Sequence, residues 1–222
     1  MKPARQRSDR LSTTVYNYQE NIMTNQTNNT NHINHINQTN HTNHINHINK
    51  TAIITGASRG IGAAIAKKLA SCGYNLSLCC RNSSDRLKAL ADELHCAYGI
   101  EVLCYTGNVG DFFFAKDMVA NTISHFGHID VLINNAGISH IGLLSDMTPE
   151  EWNNIVAINL TGVFNFTKLV IPYMVADKCG RILQISSVWG NVGASCDVAY
   201  SACKGGINAF TKIGRASCRE RV

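Results

Sequence analysis

The sequence predicts an α/β fold in which a parallel β-sheet is covered by helices on both faces, and three observations carry that expectation. Five short apolar runs, at 52–55, 76–80, 102–105, 131–134 and 182–186, have the length of strands. A longer segment with helical character fills each gap between them, so strand alternates with helix along the chain. The first run also passes directly into a glycine-rich stretch, 55–62, reading TGASRGIG.

Each element has its own justification. After the first strand, Ile61, Ile65 and Leu69 recur at four-residue spacing while Lys67 and Lys68 fall away from that stripe, which predicts an amphipathic helix opening near Gly60. The fourth run ends in Asn134-Asn135-Ala136-Gly137, a turn composition at what would be the carboxyl edge of the sheet. The fifth run ends at Ser186-Ser187, and thirteen residues after Ser187 comes Tyr200, with Lys204 four residues further on. Tyr and Lys at that spacing share one helix face.

The flanks differ from this pattern. From Asn31 to Asn49 an Asn recurs at every third position, a period of neither helix nor strand, and five of the nine histidines fall there. Residues 1–49 are therefore expected to form a disordered low-complexity tail, with weak metal binding by its histidines as the less favoured reading. The last ten residues, IGRASCRERV, follow an apolar helical stretch abruptly. One back-translation of them resembles a sequencing adapter, so 213–222 read as non-native read-through, and the folded domain is expected at 50–212.

Charge and cysteine content exclude several function classes. The +5 formal charge belongs to the flanks, because 51–212 holds 12 Lys/Arg and 12 Asp/Glu. A neutral folded region lacks the clustered cations that nucleic-acid phosphates require. The nine cysteines include no C-x-x-C pair and no zinc-type Cys/His spacing, so they read as reduced structural thiols with no metal site. Without a signal peptide or a run of about 18 apolar residues, no membrane association and a cytoplasmic location are expected.

The glycine stretch has a chemical reading. Gly56, Gly60 and Gly62 allow a sharp turn and close approach of backbone to a pyrophosphate, and the free N–H groups of the following helix attract the anion. Glycine-rich turns of this kind also occur for packing, and the pattern T-G-x-x-x-G-x-G differs from the G-x-G-x-x-G of many dinucleotide folds.

Taken in order, the glycine stretch, NNAG, Asn159 and the Ser-x12-Tyr-x3-Lys spacing resemble the short-chain dehydrogenase/reductase family, from Lys50 to Lys212. The resemblance implies a Rossmann-like doubly wound parallel sheet and an NAD(P)-dependent oxidoreductase. It places Gly56, Ser58, Arg59, Gly60, Ile61, Gly62, Asn108, Val109, Asn135, Ala136, Gly137, Tyr200 and Lys204 on the cofactor. In the implied mechanism Tyr200 gives its phenolic proton to the substrate oxygen, and the Lys204 ammonium favours loss of that proton, since a free phenol titrates at about 10. Ser187, which the spacing selects over Ser186, would polarise the carbonyl. Asn159 would hold a water linking Lys204 to solvent.

Relatives that select NAD usually carry an acid at the end of the second strand, where this chain has Cys79-Cys80-Arg81-Asn82. Arg81, with Arg59, could instead pair the extra phosphate of NADP(H), which is therefore expected over NAD(H); either could also be a solvated surface charge. The stretches TGASRGIG, INNAG, WNNIVAINLTGVFN and YSACKGG look most like 3-oxoacyl-acyl-carrier-protein reductases, which implies an acyl-carrier-protein-linked substrate. The runner-up is the reductase of the 5-aminopentanone group of elongation factor P, followed by other carbonyl reductases of the family. Family members place further strands and substrate-covering helices after the position of Lys212. The sheet is thus expected to lack its final strands, the chain to be a poor enzyme or an inactive nucleotide-binding fragment, and a homotetramer to form only in the complete protein.

Overall fold

A computed structural model describes residues 49–219 of the chain, with side chains described as far as Lys212. Apart from Asn49, the expected Asn/His-rich tail lies outside these residues. Of the segment 213–222, only the helical backbone to Arg219 is described.

The elements run β1 (Thr51–Thr55), α1 (Gly60–Ala70), β2 (Asn75–Cys80), α2 (Ser84–Tyr98), β3 (Val102–Thr106), α3 (Phe112–Phe126), β4 (Val131–Asn134) and α4 (Pro149–Val156). A π-helical turn, Ala157–Thr161, joins α4 to α5 (Gly162–Ala176), and β5 (Arg181–Gln184), α6 (Trp189–Val192) and α7 (Val198–Arg219) follow. The sheet is five-stranded, in the order β3-β2-β1-β4-β5, and every pairing is parallel. That is the doubly wound arrangement expected, and the strand order reverses between β1 and β4.

Side-chain alternation along β1 divides the core. Ile53 joins Leu132, Met118, Phe166 and Val170 on the α3/α5 face, whereas Ala52 and Ile54 join Leu76, Leu78, Leu87 and Leu94 on the α1/α2 face. All of these are within a few per cent of complete burial. The central strands β1, β2 and β4 are therefore buried along their whole length, as in a sheet covered on both faces. The continuous helical stretch Pro149–Ala176 is long and apolar enough by composition to cross a membrane, but half of its most apolar window is buried in this fold, as in the core helix of a packed domain.

Two local expectations need correction. The stripe that α1 buries is Gly62, Ala66 and Ala70, with Ile65 and Leu69 at its margin, while Ile61 is 61% exposed. The helix lies too close to the sheet for a large side chain, since a Cβ on Gly62 would sit 2.4 Å from the Gly56 carbonyl oxygen. The fifth strand ends at Gln184, two residues before the end of its apolar run. Ile185 still donates its N–H to Asn134 at 2.9 Å, but its carbonyl and the Ser186 hydroxyl are taken by Lys204. β5 forms one edge of the sheet, and Leu183 on it is 45% exposed.

Candidate active site

The turns after β1 and β4 meet at the reversal of strand order, where ligands of open α/β sheets bind. Gly56 has φ +66°, and a Cβ there would fall 2.8 Å from the Ala136 Cα, so the first turn closes only with glycine. Thr55 Oγ1 accepts hydrogen bonds from the N–H groups of Asn135 and Ala136, both at 3.0 Å. The Asn135 amide in turn donates to the carbonyls of Thr55 and Gly56 at 2.9 and 3.0 Å. These four bonds weld the NNAG turn to the glycine turn. The family resemblance gives Thr55 no role; its signal in the sequence is a polar side chain at the end of a buried strand, directly before the glycine turn.

α1 opens at Gly60 with Arg59 at its N-cap, no side-chain cap and no acid in its first turn. Its first N–H groups thus have no intrahelical acceptor. A Cβ on Gly60 would meet nothing within 4 Å, so space lies open beside them. An uncapped, unblocked helix start fits a phosphate group, and Gly56, Ser58, Arg59, Gly60, Ile61 and Gly62 are the residues that surround it.

Of the other residues expected on a cofactor, Arg81 is exposed just beyond β2, its guanidinium 3.5 Å from the Asn154 side-chain oxygen. Arg59 is exposed as well. The Asn108 side chain accepts from the N–H of Gly110 at 3.0 Å, which shapes the turn after β3. Val109 is 7% exposed, and its side chain packs in the α3/α5 core.

A cavity of about 410 Å³ opens beside this seam, and Asn135, Gly137, Ser187, Tyr200 and Lys204 line it. Tyr200 and Lys204 come from α7, which packs against the short α6. Lys204 is 4% exposed; its ammonium donates to the Ile185 carbonyl at 2.6 Å and stands 5.4 Å from the centre of the Tyr200 ring. Burial lowers its pKa from the usual 10.5, with the neighbouring Cys203 acting weakly the other way. Ser187, at the start of the turn into α6, accepts a hydrogen bond from the Trp189 N–H at 3.3 Å.

Asn159 lies in the π-helical turn and is fully buried. Its amide clasps the backbone of Ile138, accepting from the N–H at 2.8 Å and donating to the carbonyl at 2.6 Å. Both of its polar atoms thus help to position the segment after NNAG. A Cβ on Gly137 would lie 3.1 Å from Asn159 Oδ1 and 3.8 Å from Lys204 Nζ, so Gly137, in the cavity wall, stands between the buried Asn159 and Lys204.

The eight described cysteines are free, and no cluster of potential metal ligands occurs among the described residues. Burial raises the thiols of Cys79 and Cys104 to about 12, which leaves them unreactive packing groups.

Two measurements test this geometry. Thr55→Val leaves the N–H groups of Asn135 and Ala136 without their acceptor, a loss of about 2–6 kcal/mol in unfolding free energy at about 1–3 kcal/mol per orphaned group. Thr55→Ser should recover most of it in a urea titration. For Lys204 the folded-state pKa lies below the unfolded value, so the buried ammonium costs stability below the folded pKa, and stability rises with pH up to about 10.5. Lys204→Met should flatten that rise in unfolding midpoints measured from neutral pH upward, and an unchanged slope would show that the charge carries no such cost.

Comparison with known proteins agrees with this geometry. The short chain dehydrogenase family model matches residues 50–221. A 3-oxoacyl-acyl-carrier-protein reductase, FabG, of Staphylococcus epidermidis is 39% identical over 172 residues, covering 78% of this chain and 70% of the relative. A D-beta-hydroxybutyrate dehydrogenase of Cupriavidus necator is 39% identical over 164 residues, 74% of this chain and 63% of that protein. Among solved structures, a metagenomic short-chain oxidoreductase in complex with NADP superposes with a TM-score of 0.74 at 34% identity, covering 78% of this chain and 77% of that one. The chain belongs to the short-chain dehydrogenase family of oxidoreductases.

Proposed function

We propose that the protein is an NADPH-dependent carbonyl reductase whose substrate, by likeness to its relatives, is a 3-oxoacyl thioester on acyl carrier protein. The observation that carries the reading is the convergence of Ser187, Tyr200 and a buried Lys204 on one cavity beside an uncapped helix start. A nicotinamide cofactor, when bound, would supply the hydride that the carbonyl carbon accepts. Tyr200 gives its phenolic proton to the carbonyl oxygen as charge develops there. The Lys204 ammonium, held against the Ile185 carbonyl, lends that step a positive field in surroundings of low dielectric. Ser187 donates its hydroxyl proton to the same oxygen in a hydrogen bond and orients it.

Ser58, Arg59 and the first N–H groups of α1 would hold the pyrophosphate. Arg81 would face the adenosine ribose, where no acid stands at the end of β2, so the phosphate of NADP(H) is favoured over the free hydroxyl of NAD(H). A NADP complex of a solved relative supports this choice. The exposed apolar residues Phe164, Ile171 and Val175 on α5 are consistent with assembly of copies of the chain, a homotetramer by family resemblance.

A second reading, reduction of the 5-aminopentanone group of elongation factor P, is favoured by a carboxylate in the cavity wall.

NADPH oxidation with an acetoacetyl thioester separates the readings, run on the 222-residue chain beside a version extended by the C-terminal part of a relative. Tyr200→Phe should lower turnover of the active form by about 100-fold or more and leave NADPH binding intact. Turnover that survives this substitution would remove Tyr200 from the chemistry. Binding of NADPH without turnover in either form would remove the 3-oxoacyl thioester as the substrate.

A further inference from the structure

We infer that Ser186 is a positioning residue for the proposed proton transfer: its hydroxyl grips the main chain of Lys204 and so holds the lysine ammonium beside Tyr200. That role rests on the reductase reading and is distinct from the one given to Ser187.

Two adjacent serines line the cavity, and their hydrogen bonds divide the work between them. The Ser187 hydroxyl oxygen accepts from the Trp189 N–H at 3.3 Å, which keeps its own proton available to a substrate oxygen. The Ser186 hydroxyl instead donates to the Lys204 carbonyl at 3.2 Å, across 18 residues of sequence. A hydroxyl has a single proton, so Ser186 cannot hold Lys204 and donate to a substrate at once.

The bond acts on Lys204 from the end opposite to its charge. Ile185, the residue before Ser186, accepts from the ammonium with its carbonyl at 2.6 Å, so consecutive residues just past β5 hold the lysine at both ends. Tyr200 and Lys204 both belong to α7, whereas the acceptor of the ammonium does not. The 5.4 Å between the ammonium and the Tyr200 ring is therefore set by how closely α7 is held against residues 185 and 186. The neighbouring packing bears on the same peptide. A Cβ on Gly190 of α6 would fall 2.6 Å from the Lys204 carbonyl carbon and 2.8 Å from its oxygen. One turn further along α7, the Asn208 side chain donates to Asn191 Oδ1 at 2.9 Å.

An ammonium taken out of water stays there only while its partners are in place, because the flexible lysine stem can carry it back to solvent. Lys204 is 4% exposed, and the Ile185 carbonyl receives its charge. Without the Ser186 hydroxyl the turn of α7 that carries Lys204 is free to part from residue 185, and the ammonium moves toward water and away from Tyr200. The loss falls on the proton-transfer step and leaves the helix start at Gly60, which Ser186 does not touch, as it was.

The test compares Ser186→Ala, Ser186→Thr, which keeps the hydroxyl, and Ser187→Ala in the full chain. Lysines are methylated with formaldehyde and cyanoborohydride, and Lys204 is followed by mass spectrometry, with alkylation of the fully buried Cys79 as the control for global opening. Ser186→Ala should label Lys204 at least about fivefold faster than wild type while Cys79 stays protected. Ser186→Thr and Ser187→Ala should label it at the wild-type rate. In the form that turns over NADPH, Ser186→Ala should lower kcat about tenfold with KM for the thioester within about twofold, and Ser186→Thr should restore kcat. Lys204 labelling that is unchanged in Ser186→Ala, that rises only together with Cys79, or that rises equally in Ser187→Ala would overturn the role, as would a loss of kcat that threonine does not recover. The reductase reading fails separately, if wild-type protein that binds NADPH and protects Lys204 reduces no carbonyl substrate.

Discussion

A single hydroxyl holds the working edge of this sheet together. Thr55 Oγ1 takes the N–H groups of two successive residues in the NNAG turn, and Asn135 returns its amide to the carbonyls on either side of the Thr55–Gly56 bond. Without this seam β1 and β4 would still pair through Ala52, Ile53 and Ile54, but the two turns above them would part. The glycine turn could then no longer hold α1 so close to the sheet, and Gly137 would lose its fixed place between Asn159 and Lys204. The proposed cofactor cradle and the proposed proton-transfer pair both depend on this seam at the reversal of strand order.

Lys204 illustrates how the site trades stability for chemistry. Its ammonium is buried and lowered in pKa, and a fold selected for stability alone would place an apolar side chain there. The charge is tolerated because the Ile185 carbonyl receives it where the chain leaves β5. The same departure lets Ser186 bond the Lys204 carbonyl and brings Ser187 to the cavity, so the early end of the strand and the placement of the lysine are one event.

Much of this was legible in the sequence because it rests on local patterns. Five apolar runs marked five strands, and the Tyr200–Lys204 spacing put both residues on one helix face. What escaped depends on contacts between distant segments. The Ile61, Ile65, Leu69 stripe looked like the buried face of α1, yet close approach to the Gly56 turn reserves that face for Gly62, Ala66 and Ala70. Asn159 carried a family role in its position, but its clasp on Ile138, 21 residues away, is visible only once the π-helical turn is placed.

The central claim is that this edge transfers hydride to a carbonyl carbon. The most direct measurement follows the label from NADPH deuterated at the nicotinamide C4 into the product of a carbonyl substrate, read by mass spectrometry. The account predicts one deuterium on the new carbinol carbon with wild-type Tyr200, and about 100-fold less of that product in the same time with Tyr200→Phe. Folded protein that binds the labelled cofactor, yet forms no deuterated alcohol from either a thioester or an aminoketone, would contradict it.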